Sequence, residues 1–262
     1  MGVEISLRGQ NAIVTGAGAG MGRCTALMLA EAGANVMAVD INGEAAAAVA
    51  AEITGKYEVK ALSGTCNVSK PDEIRAMVDR SVEAFGRIDI LNHIAGIFGS
   101  VDFLQCTEEE YNRQFDINAK GTFFVNQAVL KVMIPHRAGK IVNMCSQAGK
   151  FGFPTHVAYT ASKFAVAGMT QSIANYAAPY NINVNCICPG IVRTSLWEKA
   201  LADIRQQGGD PEAYFASRLE TIPLKRAQTV EDIAHMFVYL SSPFADNMTG
   251  QSINITGGRI MH

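Results

Sequence analysis

Tyr159 and Lys163 stand four residues apart, and Ser146 stands thirteen residues before Tyr159. In a helix the spacing of four puts a phenol and an ammonium on one face, one turn apart. A phenol beside a cation is an acid–base device. The positive charge favours phenolate and draws the phenol down from its ordinary value of about 10. Ser146 follows the apolar run Lys140-Ile-Val-Asn-Met-Cys145, which reads as a strand. A hydroxyl at a strand end can hold the oxygen whose proton the phenol exchanges. Removing hydride from a carbinol also requires loss of the hydroxyl proton, and a positioned base suits that task.

Tyr-x-x-x-Lys alone is a common helical pair, and a second motif gives it weight. Near the N-terminus the chain reads Asn11-Ala-Ile-Val-Thr15-Gly16-Ala17-Gly18-Ala19-Gly20-Met21-Gly22, followed by an apolar-periodic stretch to Gly33. A short strand enters a glycine turn and a helix opens. Glycines permit the tight turn and let backbone N–H groups approach a pyrophosphate at the positive end of the helix. Eighteen residues after Gly22, the apolar run from Asn35 ends in Asp40. That acid is placed to accept hydrogen bonds from a ribose 2′-hydroxyl. The rival reading, a loop that merely needs glycines, does not explain the order strand, turn, helix, strand, acid.

Together with Asn118 and Pro189-Gly190, these residues resemble the short-chain dehydrogenase/reductase family in order and spacing, over essentially the whole chain. The resemblance implies an α/β single-domain Rossmann fold, with a seven-stranded parallel sheet and helices on both faces. It implies that Ser146 holds the substrate oxygen and that Tyr159 is the acid or base. Lys163 would tune Tyr159 and bind the nicotinamide ribose, and Asn118 would anchor a water of the proton relay. The cofactor contacts it implies are Gly16, Gly18, Gly20, Met21, Gly22, Asp40, Ile41, Asn67, Val68, Ala95, Gly96, Tyr159, Lys163, Pro189, Gly190, Val192 and Thr194. NADP-binding members usually carry a cation in the glycine loop or just after the second strand. Here those places hold Ala17, Ala19, Ile41 and Asn42, and Asp40 repels a 2′-phosphate, so NAD is the implied cofactor. Arg23 is read as solvated or paired. Two departures stand out. His93-Ile94 replaces the usual Asn-Asn before Ala95-Gly96. Asn67 replaces an Asp that often reaches the adenine, and it still offers an acceptor there.

The bulk properties fit. The 262 residues are 48% hydrophobic and 18% charged, with a net charge of −2. That balance gives a large core and no reason to expect nucleic acid. No apolar run is long enough to span a bilayer, and no secretory signal opens the chain, so a cytoplasmic protein is expected. The six cysteines fall in expected strands and helices and read as reduced thiols; Cys186-Ile-Cys188 has the wrong spacing for a metal knuckle. No metal is expected. Met1-Gly2 begins a myristoylation-like pattern, but no basic cluster follows as a second anchor.

Strand and helix patterns alternate throughout, with strands expected at 11–15, 35–40, 58–63, 88–94, 140–145, 182–187 and 251–255. The alanine-rich stretch Glu44–Glu52 is a strong helix former. Ser69 is placed to cap the helix that opens at Pro71. No linker divides residues 1–262. Residues 191–228 break the rhythm at the carboxyl end of a strand, where open α/β sheets bind ligands. With Trp197, Tyr214, Phe215 and the Gly208-Gly209 break, this stretch is expected to be a substrate-binding loop or lid.

The segments around Tyr159 and Pro189 resemble those of acetoin reductase/2,3-butanediol dehydrogenases. The tail Thr249–Gly258 resembles that of sorbitol-6-phosphate dehydrogenases. The implied substrate is a small alcohol or ketone, in particular a sugar alcohol or vicinal diol. Ser146, Gln147, Lys150, His156 and Trp197 are the candidate substrate contacts. Two other readings stay open: a reductase of a bulky cyclic ketone such as a steroid, with Phe98, Phe103, Phe151, Phe153 and Trp197 as an apolar lining, and a catalytically silent NAD-binding sensor or scaffold. The family commonly assembles as tetramers. The helix from Ala158 and the C-terminal tail have the apolar character for such burial.

Overall fold

Residues alternate faces along each strand, and both faces are apolar, which is the signature of a sheet covered on two sides. Ala12 and Val14 pack into one core with Leu29, Val36, Ala38, Val49, Ile53 and Phe237. Ile13, between them, packs into the other with Met37, Val39, Ile74, Leu91, Val125 and Ile141. The computed structural model describes residues 4–193, 201, 204–205 and 208–262.

Seven strands form one sheet, β1 (Asn11–Thr15), β2 (Asn35–Asp40), β3 (Ala61–Thr65), β4 (Ile90–His93), β5 (Gly139–Met144), β6 (Ile182–Pro189) and β7 (Ser252–Ile255). Their order is β3-β2-β1-β4-β5-β6-β7, and every pairing is parallel. The α-helices bounded within the described residues are α1 (Gly20–Glu31), α2 (Gly43–Lys56), α3 (Pro71–Phe85), α4 (Glu108–Phe115), α5 (Gly121–Met133), α6 (Val157–Ala177), α7 (Pro211–Glu220) and α8 (Val230–Ser241). Residues of α1, α2 and α8 cover one face. Those of α3, α5 and α6 cover the other. This is the seven-stranded parallel Rossmann arrangement that the sequence implies.

The chain leaves β1 towards β2 on one side and later returns to β4 on the other. The crevice at the carboxyl ends of β1 and β4 is therefore the topological switch point, where ligands bind in such sheets. Three local expectations are corrected. β3 begins at Ala61, because its ladder with β2 starts at Val36 and Ala61. β4 runs only from Ile90 to His93, and β6 extends to Pro189. Ser69 does not cap α3. Lys70 holds the N-cap position without a side-chain bond. Instead the Ser69 hydroxyl donates to Asn67 Oδ1 at 2.8 Å, and the Glu73 carboxylate reaches back to accept from Asn67 N at 2.8 Å.

Candidate functional site

The glycine turn is shaped by contacts that leave no room for side chains. A Cβ on Gly22 would lie 1.9 Å from the Gly16 carbonyl oxygen, and one on Gly16 would lie 2.8 Å from Ala95 N. Gly16 and Gly20 hold φ of +70° and +52°, the left-handed region that glycine enters at little cost. The turn is thus pressed against both α1 and the strand-end loop after β4. The N-cap of α1, Ala19, has no side-chain bond, and its first turn holds no acid. Its leading N–H groups are left for an anion. Asp40 closes the far side. Its Oδ2 accepts from Gly18 N and its Oδ1 from Asn42 N, both at 2.9 Å. Arg23 is paired with Glu52 at 2.5 Å, so it does not serve the turn. These features fit a dinucleotide with free ribose hydroxyls at Asp40. Ile41 is 68% exposed beside them.

Several of the other expected cofactor contacts follow strand ends on the carboxyl side of the sheet. The Ala95 N–H donates to Thr15 Oγ1 at 3.2 Å, and Gly96 is exposed. The Gly190 N–H donates to the Ile255 carbonyl at 2.9 Å, just past Pro189. Val192 pairs with Gln228 across the base of the 191–228 segment. Val68 is buried. Asn67 requires a correction: its Oδ1 accepts from both the N–H and the hydroxyl of Ser69. Both lone pairs are used, so the acceptor foreseen for adenine is not free. Thr194 and Trp197 lie outside the described residues.

Tyr159 and Lys163 both project from α6, and Lys163 Nζ lies 5.8 Å from the centre of the Tyr159 ring. Ser146 sits two residues past β5, and its hydroxyl, which accepts from Ala148 N at 3.1 Å, draws the phenol down. The expectation that the ammonium brings Tyr159 below the ordinary phenol range is not met. Burial pushes the phenol up to about 12, and the opposing influence is the Ser146 hydroxyl. Lys163 Nζ donates instead to the Met144 carbonyl at 3.0 Å. Burial also draws the ammonium below its usual value. Asn118 lies in a π-helical turn, Asp116–Lys120, between α4 and α5. Such insertions often mark functional sites. Its Oδ1 accepts from Ile97 N at 2.9 Å, and its Nδ2 donates to the Ile97 carbonyl at 3.0 Å and to Ser162 Oγ at 3.1 Å. A Cβ on Gly96 would lie 3.1 Å from Asn118 Oδ1 and 3.4 Å from Lys163 Nζ. The structure therefore gathers Asn118, Ser146, Tyr159 and Lys163 beside Gly96 at the mouth of the crevice.

His93 is accounted for by Thr15. The Thr15 oxygen accepts from Ile94 N at 3.1 Å and from Ala95 N. Its own proton is left for His93 Nδ1, 2.8 Å away. The proton of the imidazole is then on Nε2, which is buried without a partner. Burial and the Lys163 charge push His93 down to about 3, so the ring is neutral.

An aromatic wall stands over Tyr159. Phe98 meets the Tyr159 ring edge-on at 5.0 Å and the His156 ring at 5.3 Å. Phe153 stacks on His156 at 5.2 Å. His156, bonded to the Thr155 hydroxyl at 2.8 Å, belongs to this wall. Gln147 follows Ser146, and its Oε1 is buried without a partner. Lys150 is drawn elsewhere, since its Nζ donates to the His262 carbonyl at 3.2 Å. A cavity of about 350 Å³ opens between the starts of α4 and α6, but none of the four clustered residues lines it, and His156 alone of the wall does.

Sequence spacing missed a further grouping. Cys145 comes beside Cys186 and Cys188 from the neighbouring strand, with all three buried thiols within 4.8 Å of one another. Cys145 Sγ donates to the Lys163 carbonyl at 3.3 Å, directly behind the site. Cys66 and Cys145 lie just past the ends of β3 and β5 and Cys106 in the loop before α4, so the expectation that every cysteine sits in a strand or helix holds only for Cys24, Cys186 and Cys188.

The family model for short chain dehydrogenases matches residues 10–205. The chain is 36% identical to the 3-oxoacyl-(acyl-carrier-protein) reductase FabG of Thermotoga maritima, over 97% of this chain and 99% of that one. It is 37% identical to a sorbitol dehydrogenase of Cereibacter sphaeroides, again over 97% and 99%. The structure superposes on a crystal structure of NAD+-bound xylitol dehydrogenase with a TM-score of 0.90, at 33% identity, covering 96% of this chain and 99% of the other.

Proposed function

The chain belongs to the short-chain dehydrogenase family, and we propose that it is an NAD-dependent oxidoreductase interconverting a secondary alcohol and a ketone, with a sugar alcohol or vicinal diol as substrate. The observation that carries this reading is Tyr159 and Lys163 side by side on α6, with Nζ 5.8 Å from the centre of the phenol ring and the Ser146 hydroxyl acting on the phenol, together with the unpartnered Oε1 of Gln147, which follows Ser146. One hydroxyl holds the reacting oxygen, the phenol exchanges its proton, and the amide oxygen accepts from a further substrate hydroxyl. A lone acceptor at that place matches a polyol better than a plain ketone, because a buried acceptor is costly when left unmade. The sorbitol and xylitol dehydrogenases among the similar proteins support the same class.

In this reading the glycine turn and the start of α1 bind the pyrophosphate, and Asp40 accepts from the adenosine ribose hydroxyls. When bound, NAD supplies the hydride acceptor. Lys163, anchored on Met144, offers its remaining N–H groups to the nicotinamide ribose and Tyr159. Asn118 fixes the backbone at Ile97 and ties it to Ser162 on α6. The described part of the expected substrate-binding loop, with α7 at its centre, carries Tyr214 and Phe215; the rest of that segment lies outside the described residues. The working form is a cytoplasmic homotetramer, whose partners are small molecules and neither nucleic acid nor a membrane.

A second reading, reduction of a 3-oxoacyl thioester, is favoured by the similarity to FabG. A panel of polyols, diols, polyol phosphates, a 3-oxoacyl thioester and a cyclic ketone, assayed with NAD(H) and NADP(H), separates them. Polyol or diol oxidation with NAD is expected. Turnover confined to the thioester or the cyclic ketone would overturn the polyol assignment. Tight NAD binding with no turnover at all would point to a sensor.

A further inference from the structure

Arg218, on α7, and Arg259, in the loop after β7, share surroundings that the chemistry at Tyr159 does not use. The Arg259 guanidinium lies over the Phe153 ring at 5.4 Å. Phe153 stacks on His156, and His156 meets Tyr159 at 6.2 Å. A continuous wall of side chains thus runs from the guanidinium to the phenol. Arg218, whose Nε is buried without a partner, acts on the same residues through its charge. After burial, its charge is the main influence drawing both His156 and Arg259 down, and Arg259 adds to the effect on His156.

Among the described residues these two cations lack counter-ions. Arg259 Nη1 and Arg218 Nε are buried with no hydrogen-bond partner, and among the described residues no carboxylate pairs with either. Their neighbours are treated differently. Arg193 is paired with Glu212, Lys225 with Glu220 and Arg226 with Asp232. Among the described residues, the Tyr214 hydroxyl is the acidic group that bears on Arg259. Holding two like charges together, half-buried and unpaired, is unfavourable unless an anion completes the group. Guanidinium forks suit carboxylate and phosphate oxygens in particular.

We propose that Arg218 and Arg259 form an anion-recognising subsite of the substrate cleft, so that the alcohol or ketone taken at Ser146 and Tyr159 carries a carboxylate or phosphate at the end remote from the reacting carbon. The inference rests on the reading of Tyr159 as the proton-exchanging group of an alcohol dehydrogenase. It narrows the substrate class from neutral polyols to sugar acids or polyol phosphates. The phenol and Ser146 then set the reacting carbon, the aromatic wall sets the length, and the arginines fix the far end.

The test uses three matched substrates: a polyol, its terminal phosphate and the aldonate of the same chain. Each is assayed with wild type, Arg218→Gln, Arg259→Gln and Arg259→Lys under saturating NAD. One anionic member is expected to be preferred, and the arm that responds distinguishes phosphate from carboxylate. A charge-assisted hydrogen bond contributes about 1.5–3 kcal/mol, so either glutamine variant should lose roughly 10–100-fold in kcat/KM on the anionic substrate. The neutral polyol should change little, and Arg259→Lys should keep part of the preference. A second arm needs no turnover. With NAD saturating, so that the start of α1 is not what is read, inorganic phosphate should raise the Tm of wild type but not of Arg218→Gln or Arg259→Gln. Equal losses on neutral and anionic substrates, or no phosphate effect on wild type, would overturn the subsite. Phosphate stabilisation that needs both arginines, in a protein that oxidises no polyol, would keep the subsite and retire the polyol reading.

Discussion

Lys163 Nζ lies 5.8 Å from the centre of the Tyr159 ring while donating its 3.0 Å hydrogen bond to the Met144 carbonyl. The ammonium is fixed to the end of β5 and serves the phenol from a distance. Burial pushes Tyr159 up to about 12, and Ser146 draws it the other way. Oxidation needs phenolate, so its rate should rise with pH on the alkaline side of neutrality, and reduction should fall there. Tyr159→Phe should lose ~10²–10⁴-fold in turnover with NAD affinity little changed. Ser146→Ala should weaken turnover and move the oxidative limb to higher pH. Steady-state pH profiles of the three proteins check this; an oxidative rate already flat through neutral pH would contradict it.

Asp40 is held by two backbone N–H groups, so its carboxylate cannot easily turn away from a ribose. A 2′-phosphate placed there meets a fixed negative charge with no cation beside it, since Arg23 belongs to Glu52. NAD should be preferred over NADP in kcat/KM. Asp40→Ser combined with Ile41→Arg should reverse the order, because the exposed position 41 can present a guanidinium to the phosphate. Wild type that uses both cofactors equally would rule out this account of Asp40.

The strand–helix alternation, the glycine turn and the pairing of Tyr159 with Lys163 were legible because each is written in local sequence: apolar runs, glycines that nothing else can replace, and an i, i+4 pair on one helix; Asn118 was named only through the family resemblance. What was not legible depends on partners far apart in the chain. Nothing near His93 announces Thr15, seventy-eight positions away. Cys186 and Cys188 gave no metal-like spacing, because the third thiol comes from β5 across the sheet. No motif links Arg218 to Arg259 in the sequence; only the fold sets the charge of one against the other. The Tyr159 shift was misjudged for a related reason: adjacency to Lys163 is visible in the spacing, but the depth of the phenol is not.

The family's habit of assembly has a structural counterpart here. Phe123 on α5 is 44% exposed, and on α6 Phe164 is 47% and Tyr176 62% exposed. Exposed aromatic side chains on helices beside the active site suit burial against another copy. Light scattering should give a tetramer at micromolar concentration. Phe164→Glu should shift it towards smaller species and lower the Tm. A wild-type monomer would contradict the proposed assembly.

Gly149 offers a steric test of how the site is supported. A Cβ there would lie 2.3 Å from Cys145 Sγ and 2.8 Å from the Lys163 carbonyl oxygen. Neither neighbour can move freely, since Cys145 precedes Ser146 and the carbonyl belongs to α6. Overpacking of this kind typically costs about 1–3 kcal/mol. Gly149→Ala should therefore lower both the Tm and kcat by disturbing the action of Ser146 on Tyr159. Gly152→Ala, three residues on, meets nothing within 4 Å and should be neutral. Equal behaviour of the two variants in melting and kinetics would show that the contact at Gly149 relaxes without consequence.

His93 gives the fold a pH dependence separate from that of catalysis. Burial and the Lys163 charge push it down to about 3, whereas an unfolded histidine titrates near 6.5. The unfolded chain then binds the extra proton first as pH falls. Stability contributed by neutral His93 is complete above about 6.5 and is lost progressively between there and about 3. The mechanism is the buried Thr15 hydroxyl bond to Nδ1, which an imidazolium cannot accept. His93→Asn keeps an acceptor for Thr15 without a titrating group, so its unfolding free energy should fall less steeply between pH 6.5 and 4. His93→Leu should be less stable at every pH, by about 1–3 kcal/mol, because the Thr15 hydroxyl is left unpaired in the core. Urea unfolding of the three proteins at several pH values reads both effects, and parallel pH curves for wild type and His93→Asn would show that His93 does not carry this linkage.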